Sequence, residues 1–412
     1  VPAIKRAIKW ISWGLAALIV LGLLALAVLV WLVDPNSFKP RIESMVRDAT
    51  GREFALVGEI DLKFFPWLAL RTGEGRFGNP PGFAGEPMAR WRSAQLGVKL
   101  LPLLRDQLVV DKIRLEGADV YLVRRADGTA NWQGLLGAEP AQPQARAEPM
   151  TRRLTIDGVE LRDSRLTFVD EAAPRRIVIS GLNLATGDIA PDEPFTDTEI
   201  SGSLHMDGFA PAGAPFRFAA PKIALTEDYS RLDVGRFQLE FAGFAGDGAI
   251  SGTFSDTLTL GGSLESNMFD LRALLGTVGI EAPKTTDPKA LGQVQLAGSW
   301  RVDGDGMRID PLALTLDDTQ LKGNFQRGVG EDPVGEFTLR GDVMNISRYI
   351  PPTDPQSEPF VLPTAALKAL KFRGLLELEQ VTFDDIVMKG VSLRLLLDEK
   401  GLRTAQQGAK KP

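Results

Sequence analysis

From Arg52 onward the chain is written in a period of two. Leu154-x-Ile156, Leu166-x-Phe168, Ile177-x-Ile179, Leu182-x-Leu184, Phe237-x-Leu239-x-Phe241, Leu312-x-Leu314-x-Leu316, Phe337-x-Leu339 and Val391-x-Leu393-x-Leu395-x-Leu397 alternate, with Gly, Asp, Asn and Pro between them. Successive side chains of a strand point to opposite faces, so each segment predicts a strand with one apolar and one polar face, as in an antiparallel sheet wet on one side. Roughly twenty such segments follow one another, more than a single sandwich holds. Either several sandwiches succeed one another or one sheet keeps extending. In the first case the apolar faces form closed cores. In the second they form a continuous stripe, which a monomer rarely exposes unless something apolar occupies it.

Helical spacing interrupts this pattern in a few places. Asp34-Pro35-Asn36-Ser37 reads as a helix start, Phe38, Ile42, Met45, Val46 and Ala49 recur on one face, and Gly51 supplies a stop. Short helices are predicted over 266–275 and 364–370, with a brief turn at 102–104. A Pro/Ala/Gln-rich linker covers 138–149 and lacks apolar periodicity. The resulting organisation is an N-terminal segment over 1–33, a helix and first β module over 34–137, and the linker over 138–150. A central β region with weak internal repetition follows over 151–350, then a C-terminal helix and strands over 351–412. The repetition matches 249–275 with 320–350, each reading as strand, turn, strand and a short Asp-Leu-Arg or Ile-Ser-Arg segment.

Residues 11–33 carry no charge, and a helix of that length reaches about 35 Å, enough to cross a bilayer core with some tilt. Lys5, Arg6 and Lys9 precede the run, so the expected topology is single-pass with a cytoplasmic N-terminus and the bulk of the chain outside. Trp10, Trp13 and Trp31 sit near its ends, where indoles prefer the headgroup layer. A cleaved signal peptide is the rival, but the run exceeds a secretory apolar core and Val33-Asp34-Pro35-Asn36 offers no small-x-small site.

The chemistry-bearing residues are sparse. With 47 basic against 53 acidic residues the net charge is −6, which offers nucleic acid no basic surface. There is no cysteine and one histidine, His205, expected on a sheet face. No G-x-S-x-G, H-E-x-x-H or P-loop motif occurs. Gly246, Gly248 and Gly252 miss the dinucleotide spacing and are read as turn or bulge glycines. Asp303-Gly304-Asp305-Gly306 is read as a hairpin turn, because a calcium loop would require Glu where Leu314 stands. The pairs Asp317/Asp318 and Asp384/Asp385 are read as solvated turns. No enzyme, metal or cofactor is expected.

Taken in order, Asp34-Pro35-Asn36-Ser37-Phe38-Lys39-Pro40-Arg41-Ile42-Glu43, Ala49-Thr50-Gly51-Arg52, Gly58-Glu59-Ile60, Pro66-Trp67-Leu68-Ala69-Leu70, Gly78-Asn79-Pro80, Leu101-Pro102-Leu103-Leu104 and Asp127-Gly128-Thr129-Ala130-Asn131-Trp132 resemble the AsmA family of bacterial envelope proteins. Phe269-Asp270-Leu271-Arg272, Leu316-Asp317-Asp318-Thr319 with Gly323, and Ser347-Arg348-Tyr349-Ile350 extend the resemblance over most of the chain. The order and spacing of these segments carry it, rather than any one of them. The family departs from this chain after 391–401, where it usually continues with further strands.

The resemblance implies a mainly β protein in the bacterial inner membrane and periplasm. Its transmembrane helix would be followed by stacked antiparallel strands forming an elongated, U-shaped, taco-like groove with a few short helices, similar to bridge-like lipid transfer proteins. It implies a lipid conduit or scaffold supporting phospholipid transport toward the outer membrane, or an assembly factor acting on outer-membrane proteins by strand-edge pairing. The implied partners are phospholipids, the inner membrane, and outer-membrane assembly or lipid-handling proteins. The residues expected to line the groove are Ile250, Phe254, Leu258, Leu260, Leu264, Leu316, Phe325, Phe337 and Leu339.

Overall fold

The computed structural model describes residues 34–63, 67–99, 108–135, 154–173, 175–190, 193–226, 230–254, 257–329, 334–350, 372–398 and 401–406. The apolar run 11–33, the turn at 102–104, the linker 138–149 and the helix expected over 364–370 lie outside them. No helix among the described residues is long and apolar enough to cross a membrane.

The described chain opens with a 3-10 turn, Pro35–Phe38, whose first N–H groups are capped by Asp34: its carboxylate accepts the Asn36 N–H at 2.9 Å. Helix α1 (Lys39–Thr50) follows and ends at Gly51, which takes the left-handed φ of 68° that glycine adopts without a Cβ clash. This is the helix that the Phe38-to-Ala49 spacing predicts. Two hydrogen bonds tie this region to the sheet: Leu56 N–H donates to the Glu43 carboxylate at 2.9 Å and Ile60 N–H to Asn36 Oδ1 at 3.0 Å.

Nine short strands make the first module: β1 (Phe54–Leu56), β2 (Ile60–Lys63), β3 (Trp67–Thr72), β4 (Gly75–Phe77), β5 (Ala89–Trp91), β6 (Ser93–Lys99), β7 (Leu108–Val110), β8 (Ile113–Glu116) and β9 (Asp119–Arg124). After β10 (Leu154–Ile156) the strands lengthen: β11 (Val159–Asp170), β12 (Arg175–Ala185), β13 (Phe195–Met206), β14 (Phe209–Leu225), β15 (Arg231–Phe241), β16 (Phe244–Phe254) and β17 (Leu258–Ser266). Helix α2 (Leu271–Thr277) intervenes. Then come β18 (Val294–Asp303), β19 (Gly306–Leu316), β20 (Thr319–Gly328), β21 (Gly335–Asn345), β22 (Phe372–Phe383), β23 (Ile386–Asp398) and β24 (Gly401–Gln406).

All of these strands belong to one sheet, which decides between the two arrangements left open by the sequence: the sheet keeps extending. From β11 to β21 each strand pairs antiparallel with the next, and β22, β23 and β24 do the same among themselves. The uniformly antiparallel expectation is corrected at four junctions. β10 runs parallel to β7, β11 runs parallel to β8 and then to β9 along one edge, and β22 runs parallel to β21. A parallel neighbour needs a returning connection, and the chain between β7 and β10, between β9 and β11, and between β21 and β22 is long enough for one. The apolar alternation is the same for either orientation, so it does not report the difference.

Two smaller expectations are also corrected. The helix expected over 266–275 begins only at Leu271, because Ser266 closes β17, Phe269 bridges to Val294, and Asp270 is the cap whose carboxylate accepts the Ala273 N–H at 2.9 Å. Gly246, Gly248 and Gly252 are not turn or bulge residues: they pair in unbroken register with Ser266, Leu264 and Leu260 in mid-strand. The fully buried apolar residues form small local clusters instead of one centre. Ala220, Val234 and Phe237 make one, Leu321, Leu378, Val381 and Val391 a second, and Ala210, Ala214, Ala242 and Val278 a third beneath α2.

Candidate functional site

Strand register gathers the nine expected groove residues on one face. Ile250, Phe254, Leu258, Leu260 and Leu264 lie together because Phe254 pairs with Leu258, Gly252 with Leu260, Ile250 with Gly262 and Gly248 with Leu264. Leu260 then pairs with Val302 and Leu264 with Gly298, Val294 with Leu316, and Ile309 with Phe325. Phe325 pairs with Phe337 and Gly323 with Leu339. Directly paired residues share a face. The same face continues in both directions, through Leu232, Val234, Phe237 and Leu239 on β15 and through Phe372, Leu376 and Leu378 on β22.

This face is buried only in patches, at Val234, Phe237, Leu321 and Leu378 among others. None of the nine residues is fully buried; Phe254 and Leu258 are 45% and 47% exposed, and the other seven are half-buried. All strands belong to one sheet, so among the described residues no second sheet covers it. From β11 to β24, at about 4.8 Å per strand, the path along it runs for roughly 60 Å.

The floor is laid by a pairing of large and small residues that the sequence reading missed. A Cβ on Gly248 would come within 2.5 Å of the Phe237 ring, one on Gly252 within 2.4 Å of Leu260, and one on Gly335 within 2.5 Å of Phe372. Large side chains therefore lie over neighbouring glycines rather than standing off the sheet. Phe218 over Phe237 and Phe325 beside Phe372 add ring contacts at 5.5 and 6.0 Å between centroids. The inward residues Trp300 and Val302 were also missed, although their alternation was a visible signal.

The opposite face is charged and laced by exposed ion pairs. Arg217 reaches Glu199 at 2.8 Å, Arg340 reaches Glu377 at 2.7 Å, and Arg373 pairs with Glu336. These pairs hold the Glu199 and Glu336 carboxyls below their usual range, each chiefly through a hydrogen bond from its arginine. One sheet thus carries a charged face and an apolar face.

At one end of the strands a polar clasp explains the acidic pair Asp317/Asp318. Asp317 sits in a two-residue turn at φ 51° and accepts the Leu291 and Gln293 N–H groups at 2.9 and 3.1 Å and the Tyr349 hydroxyl at 2.8 Å. Burial, with that hydrogen bond to Asp317, pushes the Tyr349 hydroxyl well above its ordinary pKa. Arg348 bonds Asp287 at 2.8 Å and also reaches Asp318, while Arg272 donates to the Pro283 and Ala290 carbonyls and to the Thr285 hydroxyl. The three downstream segments of the family resemblance therefore converge to pin loop 278–293 against the strand ends. These carboxylates are structural.

The upstream segments converge in the same way. Buried Arg52 donates to the Asn131 and Gln133 carbonyls at 2.8 and 2.9 Å, and the Asn131 amide donates to Asn79 Oδ1 at 3.0 Å and the Tyr121 carbonyl at 2.8 Å. Asp303–Gly306 is a hairpin turn, as read, with Asp305 N–H donating to the Asp303 carboxylate. His205 pairs with Val178 on β12 and its Nε2 lies 2.9 Å from Ser180 Oγ, so it is a sheet-face residue. Asp384 and Asp385 occupy the exposed β22–β23 turn.

Comparison with known proteins gives this arrangement a family. The model of the AsmA family matches residues 4–210. Protein AsmA of Escherichia coli (strain K12) is 22% identical over 341 residues, 82% of this chain and 47% of that protein. AsmA family protein YhjG of the same organism is 23% identical over 205 residues, 47% of this chain and 28% of that protein. The chain thus spans about half the length of the first relative and less of the second. The family match covers half of the chain, and with it the chain belongs to the AsmA family.

Proposed function

We propose that this protein is a lipid-binding conduit or scaffold without catalytic residues, anchored in the bacterial inner membrane by residues 11–33, with the sheet in the periplasm curled into a U-shaped groove. It supports phospholipid movement toward the outer membrane. The observation that carries this reading is the apolar face running along the sheet from β11 to β23, half-buried or exposed at all nine expected groove positions. An acyl chain in water costs about 0.8 kcal/mol per CH₂, so a sixteen-carbon tail costs on the order of 12 kcal/mol. A surface of Leu, Ile, Val and Phe removes most of that barrier while the headgroup stays wet at the rim. Such a groove lowers a barrier and sets no direction, so net flow requires a gradient or an energised partner.

The test places a charge on the groove floor. Leu260→Asp and Phe337→Asp are expected to abolish co-purification of phospholipid with the chain while leaving its abundance and melting close to wild type. Degradation of both variants would instead make the face a closed core. A second reading is the pairing of a client strand along an edge of the sheet. Crosslinks from β24 to a protein, with none to lipid from inward positions, would favour it.

A further inference from the structure

The inward face of β15 to β23 is apolar or small almost throughout, and the register puts one charge on it. Arg327 pairs with Met307 on one side and Gly335 on the other, two residues beyond Phe325, so it shares the face of Phe325 and Phe337. It is half-buried and makes no hydrogen bond or ion pair within the described residues. Its neighbours on the outer face behave differently: Arg301 pairs with Asp303 at 3.0 Å and Arg373 pairs with Glu336. A guanidinium withdrawn from water calls for an anion, and among the described residues no carboxylate on this side of the sheet supplies one.

Arg327 lies near the end of β20, where the apolar surface meets solvent. Beside it Met307 is 39% exposed, and Phe254 and Leu258 are exposed at the same end of the neighbouring strands. The cavity of about 750 Å³ at this end takes in Met307 and Arg327 but is lined mostly from the outer face, by Arg301, Asp303, Arg308, Glu336 and Arg373, so it marks the edge of the sheet where its two faces meet. A cation at the border of an apolar floor matches a molecule with an anionic head and an apolar tail. The planar guanidinium fork suits phosphate in particular, through two parallel N–H···O bonds.

Resting on the lipid-conduit reading, we propose that Arg327 is a headgroup-binding residue that selects phosphate-bearing amphiphiles at the rim of the groove. Its partner is the phosphate of a lipid, with the tail lying toward Phe325 and Phe337. Loss of one charge-assisted contact of this kind lowers affinity by about tenfold or more.

The experiment loads the full chain from vesicles holding equal amounts of dioleoylphosphatidylglycerol and dioleoylglycerol, which share their tails and differ in phosphate. Bound lipid is counted by mass spectrometry. Wild type is expected to favour the phosphatidylglycerol about tenfold, Arg327→Lys to keep part of that preference, and Arg327→Gln to lose it while still loading lipid. Arg327→Gln with the wild-type preference would overturn the assignment. Loss of the wild-type preference in excess inorganic phosphate, with tail loading unchanged, would also overturn it by making the site one for free anions. Wild type that loads neither lipid would refute the conduit reading itself, and the inference with it.

Discussion

Arg52 is a cation taken out of water and answered by two main-chain carbonyls, with its guanidinium carbon 5.5 Å from the centre of the Phe77 ring. Arg52→Met leaves both carbonyls without a donor and is expected to cost about 2–4 kcal/mol, read as a lowered melting temperature. A variant melting within about a degree of wild type would contradict the role. At the clasp, the Lys289 N–H and then Arg348 hold the Asp287 carboxyl below its ordinary value of 3.8. The folded state therefore binds that proton less tightly than the unfolded chain does. The stabilisation is present above about pH 4 and is lost as pH falls through the lowered folded value. Thermal melts between neutral and acidic pH should show wild type losing more than Asp287→Asn; parallel losses would contradict the pairing. The family resemblance singled out Asp317, Arg348 and Tyr349, whereas the residues themselves read Asp317 only as part of a solvated turn, and it is buried. That Asp317 caps the loop before β18 was not legible, because its partners Leu291 and Gln293 lie about two dozen residues upstream and contribute only main-chain N–H groups.

The strands were the most legible elements, since alternation such as Leu312-x-Leu314-x-Leu316 follows directly from the two-residue repeat of a pleated strand. Orientation was not legible at β21 and β22, because Gly335 to Gly341 would read the same against an antiparallel neighbour. The inward glycines were misread for a related reason: a glycine in a strand usually marks a bulge or a close approach, and only the register shows that Gly248 lies beside Phe237. The large-over-small floor makes a prediction at this scale. Gly335→Leu would force a side chain between Phe372 and Phe325 and is expected to destabilise the fold by about 1–3 kcal/mol. Gly304→Ala, where nothing lies within 4 Å, serves as the control. Equal melting temperatures for the two variants would show that the inward rings do not depend on the glycines beside them.

For the whole molecule, the central claim is that one extended sheet keeps its apolar face available to lipid. Leu264 and Ser263 are adjacent in β17 and face opposite sides of the sheet, as do Phe325 and Gln326 in β20. The alternation announced two faces, but whether the apolar one was closed could not be read from it, since a sandwich core and an open groove share the pattern. Half-burial of Leu264, Leu316 and Phe325 in a single sheet is what separates the two. The most direct measurement places a photocrosslinking amino acid at each of these four positions in the full chain, in cells, and identifies the adducts by mass spectrometry. Positions 264 and 325 are predicted to capture phospholipid while 263 and 326 capture none; equal capture from both faces, or none from the inner pair, would contradict the account.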